Sequence, residues 1–208
     1  MRKVFVRTMA LLLLVTSACA PAAPAPTPLP ELQKPTVELT QVQVASYFPW
    51  PAPPPTVGPG TPTPVPPPAQ RVPLILAFIF DIQNPNPYPV ILEGGGMRFT
   101  VEFEVPGKGV YFPVNTPIVQ ERMSIPARTT NQLRVTMVLD SLVVPGNLAV
   151  TSGAKVKELG VSAAAVVQEW FEKIGDFTFG IRLTGGSAEF KSEKGSTVVT
   201  FTGQWPKK

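Results

Sequence analysis

Residues 74–96 read LILAFIFDIQNPNPYPVILEGGG, and the order of these side chains decides the fold. Leu74 to Ile82 is apolar in both alternating phases, the pattern of a strand at the centre of a sheet and covered on both sides. Prolines 85, 87 and 89 then remove three backbone donors and hold Asn84, Asn86 and Tyr88 extended, so the strand ends there or runs along an edge. Glu93-Gly94-Gly95-Gly96 reads as a turn.

The β rhythm continues on both sides. Phe99, Val101, Phe103 and Val105 alternate with Arg98, Thr100, Glu102 and Glu104, a half-buried strand with a charged outer face. After a turn at Pro106–Gly109 come short strands near 110–112 and 118–125, a turn at Pro126-Ala127, and the alternation of Leu133, Val135, Met137 and Leu139. Phe177 to Leu183 opens another strand, Gly185-Gly186 reads as a turn, and strands follow through Ala188–Lys191 and Val199–Phe201. Upstream, residues 36–48 alternate with a change of phase between Leu39 and Val42, the mark of a bulge or a twist. The competing reading makes all of 20–72 linker.

One segment breaks this pattern. In VSAAAVVQEWFEKIG (161–175), Ala163, Val166, Val167, Trp170, Phe171 and Ile174 form one helical stripe, with Ser162 placed to cap it and Gly175 to end it. Its polar face carries Glu169 and Glu172 against Lys173, so a helix packed on the protein is preferred to one lying on an anionic membrane. About eight short strands and this helix predict a mainly β fold, an antiparallel β-sandwich with one packed α-helix.

The 208 residues contain 27 Pro, one Cys and no His. The chain begins MRKVFVRTMALLLLVTSACA, a basic start, a short apolar run and small residues, which is the form of an export signal. Without the signal's Arg2, Lys3 and Arg7 the remaining 15 basic residues nearly match 14 acidic ones, so nucleic acid is not an expected partner. Thr16-Ser17-Ala18-Cys19 resembles a bacterial lipoprotein box, which implies acylation of Cys19; cleavage after Ala20 would set Pro21 just past the cut. The domain layout expected is a lipoprotein signal peptide at 1–18, a Pro-rich tether at 19–35 and a β-sandwich at 36–208 with a Pro-rich loop at 49–73, where 12 of 25 residues are proline. The localisation expected is the extracytoplasmic side of the cell envelope, with the membrane as partner through lipidated Cys19.

Composition also removes most chemistry. Without His there is no Ser-His-Asp or Cys-His arrangement, and Cys/His zinc sites are excluded. No Asp-rich loop suits calcium, and Gly94–Gly96 precedes a strand rather than a helix, so it is no phosphate cradle. Glu102 and Glu104 form a carboxylate pair on a face expected to be solvated. No cofactor, no metal and no catalytic residue are expected, and the chain is read as a non-enzyme.

Two features remain as candidate sites. Asn84, Pro85, Asn86, Pro87 and Tyr88 are expected to satisfy backbone groups freed where the prolines break the ladder; ligand binding there would require an exposed Tyr88. Trp50, in PWPAPPP, either caps the sandwich or meets a partner.

FDIQNPNPYPVIL (80–92), ERMSIPA (121–127) and RVTMVL (134–139) together resemble the water-stress and hypersensitive-response (WHy) domain of the type 2 late embryogenesis abundant (LEA type 2) proteins, over 36–48 and 72–205. The resemblance implies an immunoglobulin-like or fibronectin-type sandwich without catalytic residues and a role in tolerance of desiccation or other stress. The expected function is thus a lipid-anchored binding or protective module of unidentified client. The alternatives are a carrier of lipid or another apolar ligand and a structural partner in an envelope complex.

Overall fold

A computed structural model describes residues 30–50 and 71–207. Among these residues nine strands form two antiparallel sheets. β1 (Thr36–Ser46), β2 (Pro73–Gln83) and β7 (Thr130–Asp140) make a sheet of order β1-β2-β7. The other has the order β4-β3-β8-β9, formed by β3 (Val90–Val105), β4 (Val110–Asn115), β8 (Ile181–Ser192) and β9 (Gly195–Trp205). The short β5 (Ile118–Val119) and β6 (Met123–Ile125) also pair with β3.

The central strand of the smaller sheet is β2. Leu74, Leu76, Phe78, Phe80 and Ile82 point one way and are fully buried, while Ala77 and Ile79 are buried on the opposite face. Phe80 meets Phe99 of β3 at 5.2 Å and Phe201 of β9 at 5.6 Å, edge to face, and Phe78 meets Phe99 at 5.8 Å. These contacts join the sheets across one core, and each such aromatic pair adds about 0.5–1.5 kcal/mol beyond the burial of its area.

Of the segment at 36–48, Thr36–Ser46 is a strand, not linker. Its phase change is a bulge between Leu39 and Gln41, which lets Val37, Leu39 and Val42 all face the core. The glycine runs differ from expectation. β3 continues through Gly94–Gly96 and β8 through Gly185-Gly186, with shifts of register where turns were expected. Gly95 (φ 79°) and Gly185 (φ 59°) supply a left-handed backbone, which a bulge demands as much as a turn does.

Among the described residues two α-helices are present, where one was expected. α2 (Ala163–Lys173) is the amphipathic segment, and the Ser162 hydroxyl accepts the Ala165 N–H at 3.1 Å. The helix passes Gly175 as a 3-10 turn, Ile174–Asp176, and the left-handed residue that stops it is Phe177 (φ 47°). α1 (Val143–Glu158) contains Pro145, Gly146, Ser152 and Gly153, which hide it from local preference. Val144, Leu148 and Val156 lie at multiples of four residues and bury along one stripe, which is why it forms.

The helices cover the end of the molecule where β1 and β7 finish. There the Trp170 indole stands at 89° to Phe103, and its Nε1 donates to the Glu104 carbonyl at 2.7 Å. The opposite end carries residues 84–89. Among the described residues, no helix is long and apolar enough to cross a membrane.

Candidate functional site

Residues 84–88 form a buried junction of three chain segments. β2 stops at Gln83, and Pro85 and Pro87 fix the turn that follows. Asn84 and Asn86 are fully buried and Tyr88 is 5% exposed. The Asn84 Nδ2 donates to the carbonyls of Tyr88 (2.9 Å), Ile125 (3.1 Å) and Pro126 (3.0 Å), so two hydrogens serve three acceptors. Its Oδ1 accepts from both the backbone N–H and the Nδ2 of Asn86, each at 2.9 Å. The Asn84 side chain therefore ties the NPNPYP turn to the Ser124-Ile125-Pro126-Ala127 step. Backbone bonds strengthen the tie, from Asn84 N to the Thr129 carbonyl at 2.8 Å and from Arg128 N to the Asn86 carbonyl at 3.0 Å.

The third segment precedes β1. Gln33 N donates to Asn86 Oδ1 and Asn86 Nδ2 donates to the Gln33 carbonyl, both at 2.8 Å, while the Tyr88 hydroxyl donates to the Pro30 carbonyl at 3.1 Å. Leu32 packs against the core and Pro35 is buried. Residues 30–35, expected in the tether, thus lie on the body of the domain. Sequence reasoning found the two asparagines and missed these partners, because nothing local to 30–35 says what it meets.

Glu102 and Glu104, expected on a solvated face, are engaged by neighbours. The Glu102 side chain, 16% exposed, accepts from Arg182 Nε and from Thr184 Oγ1 at 3.1 Å. Glu104 accepts from Gly180 N (2.9 Å), Gly109 N (3.2 Å) and the Tyr111 hydroxyl (3.4 Å). The Arg182 guanidinium lies 4.1 Å from the Tyr111 ring centroid, a cation–π contact. Burial raises the Tyr111 phenol above its ordinary pKa, the Glu104 charge and hydrogen bond raise it further, and Arg182 opposes them. The two carboxylates thus have separate partners, Glu102 on β8 and Glu104 on β4, the turn before it and the chain before β8. A groove of about 390 Å³ opens beside Glu104, lined by Tyr111, Phe177, Gln204 and Pro206 among others. A second, of about 410 Å³, lies beside Tyr88 and Ile91, where Glu93 faces Arg122 at 3.8 Å and Lys191 at 3.9 Å.

Trp50 stacks edge to face on Phe171 of α2, with centroids 5.3 Å apart. Near it the chain leaves large apolar groups in water: Tyr47 is 42% exposed, Phe48 52%, Leu142 44% and Val143 46%. The register Ser46↔Ile75 and Pro73↔Asp140 puts all four at the helical end. Cys19 lies outside the described residues, as do the signal segment and most of the Pro-rich loop. Among the described residues, no cluster of three or more metal-ligating side chains occurs.

No family model matches the chain, and no curated protein matches it. Among solved structures, it is similar to a protein from Archaeoglobus fulgidus at 13% identity and a TM-score of 0.35, over 65% of this chain and 86% of that one. It is also similar to a target of the Northeast Structural Genomics Consortium at 13% identity and a TM-score of 0.34, over 81% of this chain and 84% of that one. At these scores neither likeness carries an argument about fold type or function.

Proposed function

We propose that the protein is a lipid-anchored, extracytoplasmic, non-enzymatic module that binds or protects components of the cell envelope under stress, built on an immunoglobulin-like sandwich of the WHy kind. The observation that carries this reading is the order Thr16-Ser17-Ala18-Cys19, then a proline-rich segment, then the residues from Pro30 held by hydrogen bonds to Asn86 and Tyr88. A thiol followed at once by a proline spacer suits an acylated amino terminus. From Cys19 to Pro30 the chain reaches at most on the order of 40 Å, so the domain would stand close to its membrane.

Intact mass spectrometry of the full-length protein from mild detergent tests the anchor. A diacyl or triacyl mass at Cys19 is the expected result, and an unmodified Cys19 overturns it and leaves a secreted module. The protective role is tested by drying a client enzyme with the protein or with an equal mass of inert protein, and equal loss of activity overturns it.

A second reading, a partner in an envelope complex, draws on the exposed Tyr47, Phe48, Leu142 and Val143. Cross-linking in cells that recovers the protein alone counts against it. The carrier reading gains nothing from the region between the sheets, where Phe78, Phe80, Phe99 and Phe201 fill the core edge to face.

A further inference from the structure

We propose that the NPNPYP turn is an intramolecular docking site for the chain's own amino-terminal stalk, and that it recognises the stalk through its backbone. A carboxamide has the same donor and acceptor geometry as a peptide unit. Asn86 uses it that way, giving Nδ2–H to the Gln33 carbonyl and taking the Gln33 N–H on Oδ1, both at 2.8 Å. The result is one rung of a β-ladder in which a side chain replaces the second strand. Tyr88 adds a third bond, to the Pro30 carbonyl. The side chains of Glu31 and Gln33 point into solvent, so the contact reads peptide groups and the partial burial of Leu32 rather than a charged sequence.

The site is formed before the stalk arrives. Pro85 and Pro87 fix two φ angles, and the prolines after Asn84 and Asn86 narrow the backbone choices of both asparagines. Asn84 Oδ1 grips Asn86 Nδ2 at 2.9 Å, which sets the amide's orientation. A receptor ordered in advance loses little further entropy on docking. Prolines 30 and 35 reduce the freedom of the stalk in the same way.

The consequence is directional. The stalk leaves the domain at the NPNPYP end, and the helical end with its exposed Tyr47 and Phe48 lies beyond the length of β1, on the order of 35 Å away. The chain therefore joins the domain at the end opposite the two helices. This holds whether or not Cys19 is acylated.

Hydrogen exchange of the full-length protein in mild detergent, read together with Glu-C cleavage at Glu31-Leu32, tests the proposal. The Gln33 amide should exchange at least about tenfold more slowly than a free peptide. Gln33→Pro, which removes the donor from outside the core, and Asn86→Ala should each speed cleavage about tenfold or more while β2 and β3 amides stay protected. Gln33→Ala, which keeps the backbone donor, should leave both readouts unchanged. Free-peptide exchange at Gln33 in a protein whose core is protected overturns the proposal, as does cleavage that Gln33→Pro leaves unchanged. Should Asn86→Ala fail to fold, Gln33→Pro decides, since Gln33 lies outside the core.

Discussion

Asn86 and Gln33 stand 53 residues apart in the chain and hold each other through two hydrogen bonds of 2.8 Å. Neither group is charged, so salt and moderate pH leave the contact unchanged. The pair links the segment before β1 to a turn that Asn84 ties to the loop after β6. Three distant stretches of chain therefore meet on two asparagine side chains.

Asn84→Ala should be the most damaging single change at this junction. It leaves the carbonyls of Tyr88, Ile125 and Pro126 without their donor and strips two acceptor contacts from Asn86. A loss of about 2–4 kcal/mol is expected from urea denaturation, since each buried group left unpaired costs about 1–3 kcal/mol. A midpoint within error of the parent would contradict the junction's role in stability.

Gly180 owes its identity to close approach rather than to backbone freedom. A Cβ there would overlap the Tyr111 hydroxyl and come within 2.8 Å of Glu104 Oε2. Gly180→Ala should cost about 1–3 kcal/mol through overpacking. Tyr111→Phe, which removes the obstructing oxygen, should recover part of that loss in the double variant. Strict additivity of the two changes in a denaturation cycle would refute the contact.

Tyr111 should ionise later than an ordinary phenol. Burial and then Glu104 raise its pKa, so an ultraviolet titration should show one phenol ionising above the ordinary value of about 10. The folded state holds this proton more firmly than the unfolded chain does. The linked stability is therefore complete below about pH 10 and declines as the pH rises through the folded-state value. Glu104→Gln should bring the titration back toward the ordinary value without abolishing the part due to burial. A difference titration of the parent against Tyr111→Phe that places Tyr111 at the ordinary value would show that neither burial nor Glu104 acts on it.

Trp50→Ala should lower stability by about 1–2 kcal/mol, because the indole covers Phe171 edge to face. Trp50→Phe, which keeps an aromatic edge, should lose less. The comparison is made from urea midpoints, and an unchanged midpoint for Trp50→Ala would mean that Trp50 is free for a partner rather than holding α2.

Much of the fold was legible in the sequence, and the failures have specific causes. The double-phase apolar run at 74–82, the bulge near Thr40 and the stripe of α2 are local patterns, and the structure contains each of them. The glycine runs at 94–96 and 185-186 were misread as turns because turn and bulge both ask for a left-handed residue. What separates them is whether a neighbouring strand continues alongside, which is not a local property. α1 was missed because its Pro, Gly, Ser and Thr oppose a helix, and the burial of Val144, Leu148 and Val156 outweighs them.

The candidate site divides in the same way. From sequence, prolines 85, 87 and 89 required β2 either to end or to run along an edge, because a missing N–H and the restriction before proline act between adjacent residues. That Asn84 would meet Ile125, that Asn86 would take the peptide unit of Gln33, and that Glu104 would close over Gly180 depends on strands 40 to 80 residues apart coming into register. The sequence by itself determined the β class, the interruption at prolines 85, 87 and 89 and the absence of histidine. Only the tertiary structure decided which polar groups pair, since a hydrogen bond is set by position in space, and distant segments acquire that position only when the core between them is packed.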